Sequence, residues 1–398
     1  MTRSVNPATV AVRAAIESDT QFGAVVPSLH LSSNYTFSGL GEKRQYDYTR
    51  SGNPTRDALA ATLAVLEGGT AATVTSSGMA ALNLVVQLLQ PGDLLIAPHD
   101  CYGGTYRLLE NLAKKGHFSV KFVDQTKRTD VARACSNKPR LILVETPSNP
   151  LLRIVDIKVI SALAKNCGAL LAVDNTFLSP ALQRPIDLGA DIVVHSTTKY
   201  LNGHSDIVGG AVVAANQALG DELAWWANCL GITGAPFDSY LTLRGVRTLH
   251  VRMRQHEANA GIVADVLNRH DAVRRVHYPG LSEHPGHEIA VKQQSGFGGM
   301  ISFELNGGQN AVRQFVKALR LFSLAESLGG VESLVCHPAS MTHAPIGAAA
   351  LKKAGITPEL IRLSIGIECC EDLVADLLVA LEAASIQESY PRSIAVAE

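Results

Sequence analysis

The apolar positions of this chain fall into short runs. Ala71–Thr75, Leu94–Ala97, Leu141–Val144, Leu170–Val173 and Ile192–Val194 are each too brief for a helix and are dominated by Val, Ile, Leu and Ala, which predicts buried strands. Between them Met79–Leu89 reads as an apolar helix and Lys158–Asn166 as a helix closed by Gly168. Strands alternating with helices predict an α/β fold whose large sheet is mostly parallel and covered on both faces. After Arg244–Arg254 the texture shifts: His256–Asn268 predicts an alanine-bearing helix, and Gly296–Glu304 alternates like a strand after its glycines.

Residues 1–60 have little periodicity and many turn residues, among them the run Tyr46 to Pro54. A long irregular arm in a compact protein is either ordered by a neighbouring subunit or holds a site. A flexible terminus is the alternative, but two tyrosines and an arginine in so short a span are atypical of disorder. The expected division is therefore an arm, 1–60, a large domain, 61–254, and a smaller C-terminal α+β domain, 255–398, whose last residues from Ser385 read as a frayed tail.

Composition narrows the function. The 398 residues are 46% hydrophobic and 18% charged, with 35 basic against 36 acidic side chains, so no general field favours nucleic acid or an anionic membrane. Small molecules are the expected partners. The seven cysteines are scattered without a CxxC pair, which disfavours disulfides and zinc and implies a reducing compartment. No run approaches a membrane span and Met1–Ile16 has no cleavage pattern, so a cytoplasmic location is expected and no metal site is.

The candidate chemistry sits where strands end. Ser196-Thr197-Thr198-Lys199 follows Ile192–Val194, and a lysine there is either a solvated surface residue or a partly desolvated amine with a lowered pKa, fit for a Schiff base. Asp174 ends another strand and either caps the next helix or keeps a pyridine nitrogen protonated. Ser77-Gly78-Met79 opens a helix, as an ordinary cap or as a phosphate site. Tyr102, beside Gly103 and Gly104, is a core ring or a stacking ring, and Asn149 a turn residue or an amide toward a cofactor oxygen. Arg362 interrupts the apolar run Leu360–Ile365, paired internally or with a substrate carboxylate. A phosphorylated aromatic aldehyde needs a lysine, an acid, an anion site and a stacking ring, and this chain supplies all four. Neither Ser77-Gly78 nor Gly39-Leu40-Gly41 makes a GxGxxG fingerprint, which argues against a nicotinamide-dependent dehydrogenase.

Taken together, Ser196–Tyr200, Asp174–Thr176, Ser51–Arg56 and Ser327–Leu334 resemble the cysteine and methionine metabolism family of pyridoxal-phosphate enzymes, over residues 8 to 384. The resemblance implies an aspartate-aminotransferase-like fold, PLP fold type I, pyridoxal 5′-phosphate as cofactor and a homotetramer built from two dimers. By it Lys199 forms the Schiff base, Asp174 partners the pyridinium and Tyr102 stacks on the ring. Gly78, Met79, Ser196 and Thr198 would hold the phosphate, with Tyr48 and Arg50 reaching in from the adjacent subunit. Arg362, Asn149 and the backbone of Ser327 would hold the substrate α-carboxylate.

Within the family, Glu326 resembles the acid that members acting at Cγ use near the distal ammonium or incoming cysteine, where members cleaving at Cβ carry an aromatic residue. Gly104 stands where methionine-cleaving members place a reactive cysteine, which argues against that branch. Ala97–Gly104 and Ala224–Asn228 look most like the bacterial members that make cystathionine. Ser51 departs from this, being arginine in some bacterial members of that kind and serine in those that break cystathionine down. The implied activity is γ-replacement, joining L-cysteine to an O-acylhomoserine, O-succinyl by expectation, in methionine biosynthesis. Its alternative is γ-elimination of cystathionine to cysteine, 2-oxobutanoate and ammonia. Arg107 and Lys43 are the candidates for the distal carboxylate, or else solvated charges.

Overall fold

The structure, a computed structural model, describes residues 5–385 other than 345–346, 348–350 and 353. Of the expected frayed tail only Ser385 falls within that range; the rest lies outside the described residues.

Among the described residues, β1 (Ala71–Thr75), β2 (Leu94–Pro98), β3 (Ser119–Val123), β4 (Leu141–Glu145), β5 (Leu170–Asp174), β6 (Ile192–His195) and β7 (Gly210–Ala214) form one sheet in the order β1-β7-β6-β5-β4-β2-β3. The pairs from β6 through β3 are parallel. Strand β7 runs antiparallel to both β6 and β1, so β1 points the same way as the parallel strands and its carboxyl end lies at the same edge. All five strands expected from the apolar runs are present. Two more were not expected, each for a physical reason. Strand β3, Ser-Val-Lys-Phe-Val, is the sheet's edge and alternates exposed with covered positions instead of forming an apolar run. Strand β7 is short and apolar, but its glycine-led start reads as a turn.

Helices cover both faces. Gly78–Val86 packs against the face that holds Leu95, Leu143, Ala172 and Val194, while Ile157–Cys167 packs against Ile142, Val144, Leu171 and Val173 on the other. Alternate residues of each strand thus face opposite layers, as the period-two pleat requires. Gly168 closes its helix at φ 74°.

A second sheet follows, of β8 (Val273–His277), β9 (Met300–Leu305), β10 (Ser323–Leu324), β11 (Leu334–Cys336) and β12 (Leu360–Ser364), in the order β10-β11-β12-β9-β8. It is antiparallel except for β10 with β11. Its core joins Ile301, Phe303 and Phe315 to Leu373, Leu377 and Leu381 of the helix Cys370–Ser385. The helix expected from His256 begins earlier, at Leu249, because the buried guanidinium of Arg252 is satisfied by the carbonyls of Tyr200 and Gly245, each at 2.8 Å.

Candidate active site

The residues just beyond β1, β2, β4, β5 and β6 converge on one cleft, closed on the far side by Glu326–Leu328, Thr342 and Arg362 of the C-terminal part. Ligand sites of parallel sheets form at this edge because the strand ends leave side chains pointing into a common space.

Lys199 occupies the turn after β6 and is half-buried. Its Nζ donates to Ser327 Oγ at 2.7 Å. Burial, reinforced by the Arg362 guanidinium and opposed by Glu326, pulls its pKa down to about 8. Ser327 stands at φ 86°, a left-handed conformation that costs a non-glycine residue about 1–3 kcal/mol. It is held there in part by Arg362, whose Nη2 donates to the Ser327 carbonyl at 2.9 Å. Because the neutral amine is the nucleophile, the apo protein should capture an aldehyde faster as pH rises, with the midpoint of the rise at about pH 8. Stopped-flow absorbance at a series of pH values checks this. A rate still climbing toward the ordinary lysine value of 10.5 would mean a solvated amine.

Asp174 ends β5 in register with Glu145 at the end of β4. Asp174 Oδ1 accepts from the Thr176 N–H at 3.0 Å; Glu145 accepts from the N–H groups of Tyr102, at 3.0 Å, and Asn149, at 2.8 Å. Burial pushes both carboxyls up, and for Glu145 the neighbouring Asp174 charge adds to it. Two adjacent acids, Glu145 buried and Asp174 half-buried, served by neutral donors fit a cationic ring nitrogen lying beside them.

The opposite end of the cleft is built for an anion. Ser77 Oγ caps the helix Gly78–Val86 by accepting from Ala80 N at 3.0 Å, so the N–H groups of Gly78 and Met79 keep no intrahelical partner. Ser196 lies so near that a Cβ on residue 78 would sit 2.7 Å from Ser196 Cβ, which only glycine avoids. Thr198 lines the cleft, but its hydroxyl is engaged by Gly209, donating to the carbonyl at 3.2 Å and accepting from the N–H at 3.0 Å.

Tyr102 precedes the helix Gly103–Lys114, its ring edge-on to His343 at 6.4 Å. Space for the ring exists because residue 104 is glycine; a Cβ there would lie 2.5 Å from Tyr102 Cε1. Arg362, on β12, is only 2% exposed. Its Nη1 donates to Asn149 Oδ1 at 2.8 Å, while Nε is buried without a partner. Glu326 is exposed at the rim.

Lys43, Tyr48, Arg50 and Arg107 do not line this cleft within the chain. Lys43 is exposed, 3.6 Å from Asp47; the Arg50 guanidinium lies over the Tyr48 ring, 5.7 Å from its centre; Arg107 is exposed on the helix Gly103–Lys114. Conversely, Glu145, Thr176 and Thr342 line it without having been expected. Glu145 carries the same signature as Asp174, an acid closing an apolar strand, whereas Thr342 has no local signal and owes its place to tertiary packing.

A lysine amine, a buried acid, an aromatic ring and a helix-start anion cradle in one cleft fit a phosphorylated pyridine aldehyde. Comparison with known proteins agrees. The profile of the family described as Cys/Met metabolism PLP-dependent enzyme matches residues 8–382. The chain is 55% identical to cystathionine gamma-synthase of Escherichia coli (strain K12), covering 95% of this chain and 98% of that one. It is 49% identical to a cystathionine beta-lyase of Lactococcus lactis, covering 94% and 98%. Crystal structures of cystathionine gamma synthase from Xanthomonas oryzae pv. oryzae, one in complex with aminoacrylate and cysteine and one with cystathionine, superpose with a TM-score of 0.95 at 59% identity, covering 96% of this chain and 99% of that one.

Proposed function

We propose that this chain, which belongs to the Cys/Met metabolism family of PLP-dependent enzymes and so uses pyridoxal 5′-phosphate on PLP fold type I, makes L-cystathionine by γ-replacement. The substrates would be L-cysteine and an O-acylhomoserine, O-succinyl by preference. The observation that carries this reading is that base and carboxylate binder meet on one residue: Lys199 Nζ and Arg362 Nη2 both bond to Ser327. An α-amino acid carries its α-proton on the carbon bonded to its carboxylate, so a site that deprotonates it needs its base and its guanidinium adjacent in this way.

Bound in the cleft, the cofactor supplies an electron sink for negative charge at the substrate α-carbon. Arg362, with Asn149 and the Ser327 backbone, takes the α-carboxylate as a bidentate partner. Lys199 Nζ removes the α-proton as a neutral amine and returns it later, and Ser327 Oγ orients that amine between the two transfers. The Cγ–O bond breaks with the acyl group leaving as its carboxylate, and the cysteine sulfur, its thiol proton released, bonds to the same carbon. Glu326 at the rim faces the incoming cysteine's ammonium. Arg107 and Lys43, which do not line the cleft within one chain, would take the distal carboxylate of the acyl group where it extends beyond that lining. Tyr102 would cover the cofactor ring, Asp174 would keep its nitrogen protonated, and Gly78, Met79 and Ser196 would hold the phosphate, with Thr198 joining them by turning its hydroxyl from the Gly209 carbonyl.

Tyr48 and Arg50 would complete the phosphate site of an adjacent subunit in a homotetramer of two dimers. The arm supports this, exposing Phe22 at 82%, Leu31 at 65% and Val25 at 63%, apolar surface of the kind a second copy covers. We read 61–254 as the cofactor domain and 255–398 as the substrate domain, with the helix Leu249–Asn268 shared between them. Free cysteines throughout the described residues fit a cytoplasmic location. Among those residues no helix is long and apolar enough to cross a membrane.

The assay that tests the activity supplies O-succinylhomoserine plus cysteine in one vessel and cystathionine alone in another. Faster formation of cystathionine in the first is expected. Faster release of cysteine, 2-oxobutanoate and ammonia in the second would make the chain a γ-lyase. Homocysteine and pyruvate would place it with the β-lyase relative.

A further inference from the structure

Glu145 is an acid for which the steps above have no use. It is 8% exposed, lines the cleft and sits beside a second acid, Asp174, an arrangement that disfavours ionising both. Satisfying two backbone N–H groups explains why an acid stands there: a carboxylate offers two acceptor oxygens, and an amide only one. Those two N–H groups belong to different turns. Oε2 takes Tyr102 N, at the turn after β2, and Oε1 takes Asn149 N, at the turn after β4. Asn149 is held from its other sides as well. His343 Nε2 donates to its carbonyl at 3.1 Å, and its Oδ1 takes Arg362 Nη1 at 2.8 Å.

We propose that Glu145 is a positioning residue whose carboxylate clamps the turn carrying the stacking ring to the turn that aims the carboxylate-binding arginine. One buried group thereby sets the cofactor's cover and the substrate's anchor in a single geometry. This rests on the roles given above to Tyr102 and Arg362.

Glu145→Gln keeps the side chain's size but leaves one of the two N–H groups facing an amide NH2 group. The cofactor dissociation constant and the KM for the O-acylhomoserine are both expected to rise roughly tenfold. The visible circular dichroism of the bound cofactor is expected to fall, because the ring over it is no longer fixed. In an Asn149→Ala background, where the link to Arg362 is already cut, Glu145→Gln should raise the dissociation constant and leave KM where it stands. Glu145→Asp, too short to reach both N–H groups, should give the same pattern and serves if the glutamine variant folds poorly. A change in only one constant, or an additive KM effect in the double variant, would overturn the clamp. So would lowered thermal stability with both constants and the dichroism intact, the mark of a merely structural carboxylate. Arg362→Lys with an unchanged KM would defeat the reading beneath, and the clamp with it. A raised KM there beside unchanged constants in Glu145→Gln would defeat the clamp alone.

Discussion

Replacing Lys199 by alanine should lower turnover by at least about a thousandfold while leaving the protein folded and able to bind its cofactor, since a positioned base contributes on this scale. The amine is the base assigned to the α-carbon, and its depressed pKa keeps a useful fraction neutral near pH 8. Its removal deletes one hydrogen bond, to Ser327 Oγ, from a side chain that is only half-buried, so the structural cost is small. Steady-state rates give the loss. Borohydride reduction followed by mass spectrometry should show the cofactor covalently retained by the wild-type chain and absent from the variant. Residual activity within tenfold of wild type would remove Lys199 from the reaction. The same variant reports on the arm: mixed with Arg50→Ala chains it should regain activity, because each hybrid pair contains one site with both residues intact. Hybrids as inactive as their parents would return Tyr48 and Arg50 to their own chain.

Asp174→Asn is the second large effect, and it should act in opposite directions on catalysis and on stability. An amide keeps the acceptor for the Thr176 N–H but cannot hold a ring nitrogen protonated, so kcat should fall about a hundredfold or more. In the apo protein the carboxyl is raised above 3.8 by burial, with Glu145 beside it. A raised carboxyl pKa means that the folded state holds its proton more tightly than the unfolded one. Asp174 therefore lowers stability as pH rises through its folded pKa, and below 3.8 that penalty is gone. Apo Asp174→Asn should melt higher than apo wild type at neutral pH, and the gap should close in acid. With cofactor bound the order should reverse, because the ring nitrogen supplies the missing counter-charge. Thermal melts of both proteins, with and without cofactor, test all of this. An apo variant less stable than wild type at neutral pH would mean that the acid is not strained by burial.

Much of this site is written in local pattern. Asp174 and Lys199 each follow an apolar strand, and Ser77-Gly78 opens a helix directly after another. A strand of a parallel sheet delivers whatever follows it to one edge, so reading the strands amounts to reading half the cleft. Glu145 was equally legible, as the acid that closes Leu-Ile-Leu-Val, yet its use depends on the two turns it joins. Strand β3 escaped because an edge strand alternates its exposure, and β7 because its opening glycine reads as a turn.

By itself, then, the sequence determined the alternation of strands and helices, the chemistry at the strand ends and, through its motifs, the family. Those properties depend on neighbours within a few residues, where hydrophobic period and turn chemistry act. Only the tertiary structure decided which distant groups meet. Lys199 bonds a serine 128 residues away, and Asn149 bonds an arginine 213 residues away. It also decided that Thr198's hydroxyl is taken up by Gly209, that Arg362 is buried with one nitrogen unpaired, and that Glu145 bridges two turns. The Lys199–Ser327 and Asn149–Arg362 bonds arise where the C-terminal part meets the strand ends of the first sheet, and those of Thr198 and Glu145 from how the turns of the first sheet pack on one another. No local propensity encodes them, because the free energy that selects them comes from burial and hydrogen bonding between segments that are unrelated in sequence.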